Sequence, residues 1–476
     1  MLNYVPKYFT NRAIALYFIA LAAVSLMFIR HVMPLQFMLF GVVAVVGFFY
    51  FSNILTVRWR EVSGKTYIKN IFLTALVTRA VYVVFMYHYY IITTGYAFES
   101  GFADSGHYHW VAWYLSTIAG FANVWEALTD RWVISDTGYV LILTYFYKIF
   151  WWGDGFIPYH GAFVILLVRL MQALVSAYMC VLIYKLAKRN FGEGIARIAG
   201  IFAMLMPHFF YYSGVHLKET IMIFLTVFFV ERTDHLLRSK KYNFINVVVP
   251  VVLAGSLFTF RNILGATALI AFLTAIVFTP SKIVGWGKRI LVGVWVVAVI
   301  IFFIGGRIAA EVEGFWELRD TAQQASMEHR AVRGNEFARY GTIAIFAPMI
   351  FVAPFPTLVD TDQDNIKIMN GSNFVKNITS FFTMLGIFLL FYRKKWRDHV
   401  LIISFLCGYL AVVAMSPFAI SERYHLPSLP FALIMASYGI SQMKNQWKKY
   451  FNWWTMFIFV VLIGWSWFKL AGRGML

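Results

Sequence analysis

The residues best suited to chemistry form a short run after the third hydrophobic segment, where Asp104 and Tyr108 lie four positions apart. A carboxylate at a membrane surface can accept a proton from a hydroxyl group, which makes Asp104 a candidate general base. His107 and Tyr108 are placed to contact a substrate beside it. An aspartate that begins an amphipathic helix is also typical of an N-cap, and one residue can serve in both ways.

Two further assignments are open at this run. Glu99 lies five positions before Asp104 and could supply a second catalytic carboxylate, although a solvated loop residue fits its position equally well. His107 and His109 follow Asp104 by three and five positions, which is a weak ligand pattern for a divalent metal. We therefore expect no cofactor, with a divalent metal as the less favoured alternative.

Cationic residues occur at the ends of several hydrophobic segments, where they could bind an anion. In one such segment, Lys218 or His216 could bind a phosphate as the cation, and Glu219 would orient that cation. Arg261 lies between two hydrophobic segments and has the same potential. Snorkelling of long side chains to the membrane interface is the competing interpretation.

A second basic segment lies near the C-terminus, where Arg423 and His425 occupy a short polar stretch between hydrophobic segments. The planar guanidinium of arginine suits phosphate oxygens, so we predict donor-phosphate binding there, with an ion pair to Glu422 as the alternative. Arg79 and Arg169 lie inside hydrophobic segments. Charges in such positions face a bundle interior, and these two could brace the loop acids.

The elements that must position these residues are membrane helices. Of the 476 residues, 61% are hydrophobic and only 13% are charged, which is the composition of a polytopic membrane protein. The net charge of +19 does not indicate nucleic-acid binding, because the basic residues lie in short gaps between hydrophobic segments. We predict an all-α fold with about thirteen spans, near residues 14–29, 35–52, 70–94, 161–186, 197–213, 219–231, 244–260, 263–279, 289–305, 378–392, 399–416, 428–443 and 452–468.

The basic gaps also predict the orientation. All seven fall on one side of the membrane if the N-terminus is cytoplasmic. Two long extracytoplasmic loops result, at 95–160 and 306–377, within a single catalytic unit that spans 1–476. The hydrophobic stretch 138–152 would break this pattern as a span, so we predict an interfacial helix with Tyr139, Tyr145, Tyr147, Trp151 and Trp152 as anchors. The proline-interrupted stretch 341–358 is predicted to be interfacial or re-entrant and covered by protein.

The second loop carries a group of arginines that could bind an anionic substrate. Arg330 and Arg333 are the central pair of this group. A solvated helix face is the more ordinary interpretation of the same spacing. The acidic residues at 360, 362 and 364 follow in the same loop.

Three motifs together resemble a known superfamily. Asp104-x-x-x-Tyr108-x-x-x-Ala112 is similar to an acidic signature at the start of a first outer loop, although Ser105 stands where that signature has a second acid. The stretch 138–192 is similar to a juxtamembrane helix followed by an Arg-Leu helix and a basic turn. The stretch 422–430 is similar to an R-Y-x-x-P-x-x-P element. The family that combines these motifs is the GT-C superfamily of membrane glycosyltransferases, which includes protein O-mannosyltransferases and lipid A aminoarabinose transferase.

The resemblance implies a specific reaction. The donor would be a sugar carried on a polyprenyl phosphate such as undecaprenyl phosphate, and the acceptor a hydroxyl on a glycan, lipid or protein. The loop aspartate, Asp104, would act as base. The protein would lie among the lipids of a bacterial inner membrane with its site outside, and it would serve cell-envelope polysaccharide synthesis. A polymerase or ligase that uses pyrophosphate-linked glycans, and a lipid or solute transporter, are the alternatives.

Overall fold

A computed structural model of the chain describes residues 2–101, 103–131, 137–150, 163–239, 244–280, 283–287, 289–290, 293–294, 348–361, 363–416, 419–472 and 475. Within these ranges the secondary structure is helical apart from one isolated antiparallel bridge between Val32 and Val359. The predicted all-α class is confirmed.

The helices follow one another through short connections. The first nine are α1 (Lys7–Met27), α2 (Leu35–Arg58), α3 (Gly64–Thr94), α4 (Ala103–Ile118), α5 (Val124–Arg131), α6 (Thr137–Phe150), α7 (Phe163–Phe191), α8 (Glu193–Leu205) and α9 (Pro207–Gly214). The other described helices are α10 (Glu219–Arg238), α11 (Phe244–Phe258), α12 (Asn262–Phe278), α13 (Asp364–Ile368), α14 (Asn370–Tyr392), α15 (Val400–Met415), α16 (Glu422–His425), α17 (Leu429–Ser441) and α18 (Asn445–Ala471).

Seven described helices are long and apolar enough to cross a membrane, and a bent pair brings the number to eight. The helices α6, α11 and α12 are apolar but shorter. The count of thirteen spans stays a prediction, and most of the expected span at 289–305 lies outside the described residues. One boundary differs for a clear reason: α3 begins at Gly64 because the Ser63 side chain accepts a hydrogen bond from the amide of Thr66 at 3.3 Å.

The predicted span at 197–213 is two helices. α8 ends at Leu205 and α9 begins at Pro207, with a bend of 40° between them. Proline has no amide hydrogen and its ring clashes with the preceding turn, so Pro207 favours a break or a kink at this position. The bend matters for function because α9 carries Tyr211 and Tyr212 to the site described below.

The predicted helix forms as α6 and its interfacial location stays a prediction, but the role expected for two of its tyrosines was wrong. Tyr139 and Tyr147 are fully buried instead of anchoring the helix at an interface. The Tyr139 hydroxyl accepts a hydrogen bond from Gln172 at 2.9 Å, and Tyr147 bonds to His109 at 2.7 Å. Polar tips that find buried partners explain why these tyrosines face inward. Trp151 and Trp152 lie outside the described residues.

The helices α14 and α17 pack closely against each other. Gly386 of α14 and Gly439 of α17 each lie against the backbone of the other helix, and a Cβ atom on Gly439 would lie 2.1 Å from the carbonyl oxygen of Phe382. Small residues allow membrane helices to approach this closely and gain packing energy. Nearer the start of α14, Lys376 bonds to His425 of α16 at 2.9 Å.

Arg79 does not brace the loop acids, which corrects the expectation for this residue. Its Nε donates to the Ser176 hydroxyl at 2.9 Å, and its Nη2 donates to the Ala203 carbonyl at 3.0 Å. The side chain therefore ties α3 to α7 and α8 inside the bundle. Its position in the middle of α3 keeps it away from the loops.

The basic gaps gather at one end of the bundle. The Arg197 guanidinium donates to the carbonyls of Trp59, Arg60 and Val62 at 2.7–2.8 Å. Arg189 pairs with Asp234 at 2.9 Å at the same end. The positive side chains thus satisfy helix-terminal carbonyls and buried carboxylates, in addition to any topological role.

The proline-rich segment before α13 is covered by protein, as expected for its described part, 348–358. Asn377 on α14 donates to the carbonyls of Val352 and Pro354 at 2.6 and 2.9 Å, and Ser380 donates to Phe351 at 2.7 Å. Irregular backbone inside a membrane protein needs such partners.

Candidate functional site

The short helix α16 is the centre of the candidate site, and each of its side chains has a defined position. Glu422 borders a cavity, and Arg423 reaches toward two carboxylates. The Tyr424 ring stacks under the Arg261 guanidinium at 4.1 Å. His425 bonds to Lys376 at 2.9 Å and to the Ala419 carbonyl at 2.8 Å. These contacts fix a four-residue helix that has no stability of its own.

A chain of charges runs through Arg423. Its Nη1 donates to Asp104 Oδ2 at 2.5 Å, and its Nε donates to Glu219 Oε1 at 2.8 Å. The Asp104 side chain is 53% exposed, whereas the Glu219 side chain is fully buried. The Asp104 contact is therefore open to exchange, and the Glu219 contact is a buried ion pair whose loss would leave an uncompensated charge.

Electrostatics favour a charged Arg423. Burial acts to lower its pKa, but the charge of Glu219 and the hydrogen bonds to Asp104 and Glu219 outweigh burial and raise the pKa. Arg261 adds a second positive charge near Glu219, and its pKa is raised despite burial by Tyr409, Tyr424 and Glu219. The site therefore holds permanent positive charge beside its carboxylates.

Glu99 lies on the other side of the same region and is buried. Burial raises the pKa of Glu99, while a hydrogen bond from Ser105 and the charge of Arg169 act in the opposite direction. Arg169 Nη2 donates to the Ala97 carbonyl, which holds the guanidinium beside this loop. Arg169 is thus placed to brace a loop acid, as the sequence suggested.

A cavity of about 200 Å³ connects these groups. Its lining is polar on the loop side and aromatic on the α9 side. It is formed by Glu99, Gly101, Asp104, Tyr211, Tyr212, Leu217, Asn365, Glu422 and Arg423. This volume is far larger than the space that one water needs, so the cavity can admit a small polar ligand.

An apolar groove of about 770 Å³ lies next to this cavity. It separates α2 from α3, with Phe210 and Tyr211 of α9 at its floor. Val43 and Val81 on its walls are exposed by 71% and 65%, as expected for side chains that face lipid. Tyr211 lines both the groove and the polar cavity, so this side chain is a wall that the two spaces share.

The structure brings only part of the predicted set together. Glu99, Asp104 and Arg423 line the cavity, and Glu219 lies directly behind Arg423. Glu219 does not orient Lys218, because it pairs with Arg423. The alternative ion pair between Arg423 and Glu422 is replaced by the pairs with Asp104 and Glu219.

The other predicted residues lie elsewhere. The Lys218 ammonium donates to the Phe260 carbonyl at 3.2 Å, and His216 bonds to the buried Tyr147 hydroxyl at 3.1 Å. Burial holds the pKa of His216 and that of His425 well below the usual range, so both are neutral. A neutral, buried imidazole is poorly suited to hold a phosphate.

The two residues of α4 that were predicted to contact substrate, His107 and Tyr108, lie on different faces of the helix. Tyr108 is buried edge-to-face against Tyr139 at 5.3 Å, whereas His107 is exposed on another face of the helix. Arg330 and Arg333 lie outside the described residues. Among the described residues, no group of three or more His, Cys, Asp or Glu side chains is placed to hold a metal ion.

Sequence reasoning missed Tyr211, Tyr212 and Asn365. The first two follow the helix-breaking Pro207 by four and five positions, a signal that a half-helix ends at a site. Asn365 follows the acidic run of the second loop, and no local pattern distinguishes it.

A protein family and a solved structure are similar to this chain. Residues 125–310 match the model of the Alg9-like mannosyltransferase family, a region that begins after Asp104 and ends before Arg423. No curated protein sequence matches the chain. A crystal structure of the oligosaccharyltransferase of Archaeoglobus fulgidus, with zinc and sulfate, is similar over 84% of this chain with 12% identity and a TM-score of 0.43.

The chain spans about half the length of that oligosaccharyltransferase, 52% of which is covered. The family match falls on α5–α12 and the segment that follows them, whereas the motifs noted at 104–112 and 422–430 lie outside it. Residues 125–310 are therefore similar to the Alg9-like mannosyltransferase family, on an all-α architecture.

Proposed function

We propose that the protein is a membrane glycosyltransferase of the GT-C superfamily that moves one sugar from a polyprenyl-phosphate donor to an acceptor hydroxyl at the extracytoplasmic face. The observation that carries the proposal is the position of Tyr211, which lines both an apolar groove between two lipid-facing helices and a polar cavity. A polyprenyl-phosphate sugar has the same order of parts: a long apolar chain, a charged phosphate and a polar ring.

The groove suits the polyprenyl chain. Its walls are side chains of α2 and α3 that already face lipid, so a lipid substrate enters sideways without crossing a polar barrier. Burial of an isoprenoid chain against these walls adds dispersion contacts at little desolvation cost.

Arg423 suits the phosphate. It is a charged guanidinium at the cavity wall, fixed on one side by the buried Glu219. An oriented guanidinium binds phosphate oxygens with two parallel hydrogen bonds. Arg261 adds positive charge near Glu219, although its guanidinium is stacked on Tyr424 and not on the cavity wall.

Asp104 suits the role of base. In this state Arg423 Nη1 donates to its Oδ2, so the carboxylate is engaged. A donor phosphate that binds Arg423 takes this hydrogen bond away from Asp104 and frees the carboxylate for the acceptor. Binding of the donor thus prepares the base for the acceptor hydroxyl.

The reaction is a single displacement. The acceptor oxygen forms a bond to the anomeric carbon while its proton passes to Asp104. The bond between the anomeric carbon and the phosphate oxygen breaks, and its electron pair leaves with the phosphate. Arg423 faces the negative charge that develops on that phosphate. One displacement inverts the configuration at the anomeric carbon.

The location and the substrates follow the same proposal. The basic end of the bundle faces the cytoplasm by the positive-inside rule, which puts Asp104 outside. Undecaprenyl phosphate in a bacterial inner membrane is the proposed carrier, and a cell-envelope glycan, lipid or protein is the proposed acceptor. Arg330 and Arg333 of the second loop are proposed to contact an anionic acceptor.

The test is sugar transfer in proteoliposomes from radiolabelled undecaprenyl-phosphate sugars, both hexoses and pentoses. We expect transfer by the wild type and a loss of about 10²–10⁴-fold in Asp104→Asn, with an unchanged circular dichroism spectrum. Undiminished transfer by Asp104→Asn would remove Asp104 as the base. Transfer only from pyrophosphate-linked glycans would assign the protein to the polymerase or ligase class instead.

A further inference from the structure

We propose that Glu99 and Asn365 form the subsite that binds the hydroxyl groups of the donor sugar, a proposal that rests on the proposed function. Both residues line the cavity beside Arg423. They come from different outer loops, since Glu99 follows α3 and Asn365 lies in α13. In this assignment Glu99 positions the sugar, and Asp104 alone is the base.

Each residue has a buried polar atom without a hydrogen-bond partner. For Glu99 this atom is Oε2, on a residue that is only 5% exposed, and for Asn365 it is Oδ1. A buried polar atom left unsatisfied costs free energy, because it has lost its water without gaining another partner. A ligand that completes both bonds in the adjoining cavity recovers that free energy.

The orientation of both groups is fixed by their other contacts. The Asn365 Nδ2 donates to the Ser100 carbonyl at 2.6 Å, and a carbonyl can only accept, so Oδ1 is the unpartnered atom. Glu99 receives a hydrogen bond from Ser105 and lies in the field of Arg169. Asn365 also connects the two loops, because Ser100 directly follows Glu99.

The chemistry of these atoms selects the ligand. Asn365 Oδ1 needs a hydrogen-bond donor, and Glu99 can accept a bond when ionised or donate one when protonated. A sugar hydroxyl donates and accepts, so it suits both. Tyr211 and Tyr212 line the opposite part of the cavity and supply aromatic surface for the apolar face of a sugar ring.

A cation is the competing occupant, because oxygen ligands also bind metals. Two positive charges disfavour a cation in this cavity. Arg423 lines the wall, and the charge of Arg169 already acts on the Glu99 carboxyl group. The neutral, hydroxyl-rich part of the donor fits this mixture of charges better than a divalent ion does.

The test compares two lipids on the full chain in lipid nanodiscs: undecaprenyl phosphate with and without its sugar. The affinity ratio of the two lipids isolates the sugar contact. We expect Glu99→Ala and Asn365→Ala each to lower this ratio about 10-fold, which is about 1.4 kcal/mol. The affinity for the sugarless lipid should change less than twofold. Gln363→Ala, an exposed position on the same loop, is the matched control.

The outcomes separate the two levels of the proposal. Failure of the wild type to bind either lipid would reject the proposed function itself. Wild-type binding of both lipids with a ratio unchanged in Glu99→Ala and Asn365→Ala would overturn the sugar subsite and leave the proposed function standing. Equal weakening of both lipids would show a structural role only and would also overturn the subsite. Magnesium binding by the wild type that both variants abolish, with an unchanged ratio, would assign the cavity to a cation.

Discussion

Asp104 and Arg423 are 319 positions apart in sequence, yet their side chains form an ion pair at 2.5 Å on the wall of one cavity. The same guanidinium holds the buried Glu219 at 2.8 Å. Arg423 therefore has one permanent partner and one that a ligand can replace. This difference between the two partners explains how one arginine can occupy the Asp104 carboxylate in one state and bind a phosphate in another.

The exchangeable partner leads to an unusual prediction for Asp104→Asn. Loss of the carboxylate frees Arg423, so this variant should bind undecaprenyl phosphate more tightly than the wild type while it loses transfer. An exposed ion pair contributes about 0.2–1 kcal/mol, which corresponds to a gain of roughly 1.4–5-fold in affinity. Lipid titration by intrinsic fluorescence measures this change.

Asp364→Asn is the control for that titration. It removes the same charge from α13, where Asp364 pairs with Lys367 and does not line the cavity. An equal gain in this control would mean that general electrostatics, and not release of Arg423, is responsible. Weaker lipid binding by Asp104→Asn would contradict the exchange.

The permanent partner leads to a prediction about stability. Arg423→Ala leaves Glu219 as a buried carboxylate without its cation, which should reduce the free energy of unfolding by roughly 2–5 kcal/mol. The double variant Arg423→Ala/Glu219→Gln should recover most of this loss, because a neutral amide costs far less to bury than a charge. Denaturant unfolding in detergent micelles measures all three proteins. A double variant no more stable than Arg423→Ala would argue against an isolated charge as the cause.

The groove can be tested by filling it. Gly47 lies in the groove wall, and a Cβ atom added there meets no atom within 4 Å. Gly47→Leu should therefore fold normally and weaken transfer from an undecaprenyl donor, while a donor with a much shorter isoprenoid chain is affected less. Transfer rates with the two donors give the comparison.

Gly464→Leu is the matched control for the groove. Gly464 also lies in a long apolar helix, and a Cβ atom added there meets no atom within 4 Å. It belongs to α18 and does not line the groove. Equal effects of Gly47→Leu and Gly464→Leu would rule out the groove as the lipid site.

The pH dependence of stability should report on Glu99. Burial raises its pKa above 4.5 in the folded protein, so the folded state retains a proton that the unfolded chain releases. The contribution of Glu99 to stability therefore falls as the pH rises from about 4.5 through the raised folded pKa. Glu99→Gln lacks this proton equilibrium, and its advantage over the wild type should grow across that range.

Thermal unfolding at pH 5 and pH 7.5 measures that difference. Asp364→Asn, which removes one acid that does not line the cavity, is the control at the same two pH values. A constant difference between Glu99→Gln and the wild type would show that Glu99 is ionised in the folded protein throughout.

Much of the fold could be predicted because membrane helices are encoded locally. Long apolar segments and the basic gaps between them gave the all-α class, and Asp104 and Arg423 were recognisable as polar residues at segment ends. The error at 197–213 had a local cause that was visible in Pro207. The burial of Tyr139 and Tyr147 was not visible, because an aromatic residue at a helix face looks the same whether lipid or another helix covers it.

The sequence by itself determined the class of protein, the helices and the residue types able to do the chemistry, because hydrophobicity and charge act along short stretches of chain. Only the tertiary structure decided which of these residues meet. It separated His216, Lys218 and His425 from the cavity, gave Glu219 to Arg423, and added Tyr211 and Asn365. Contacts between residues that are hundreds of positions apart depend on how the helices pack. Bends such as the one at Pro207 influence that packing, and no short segment of sequence encodes it.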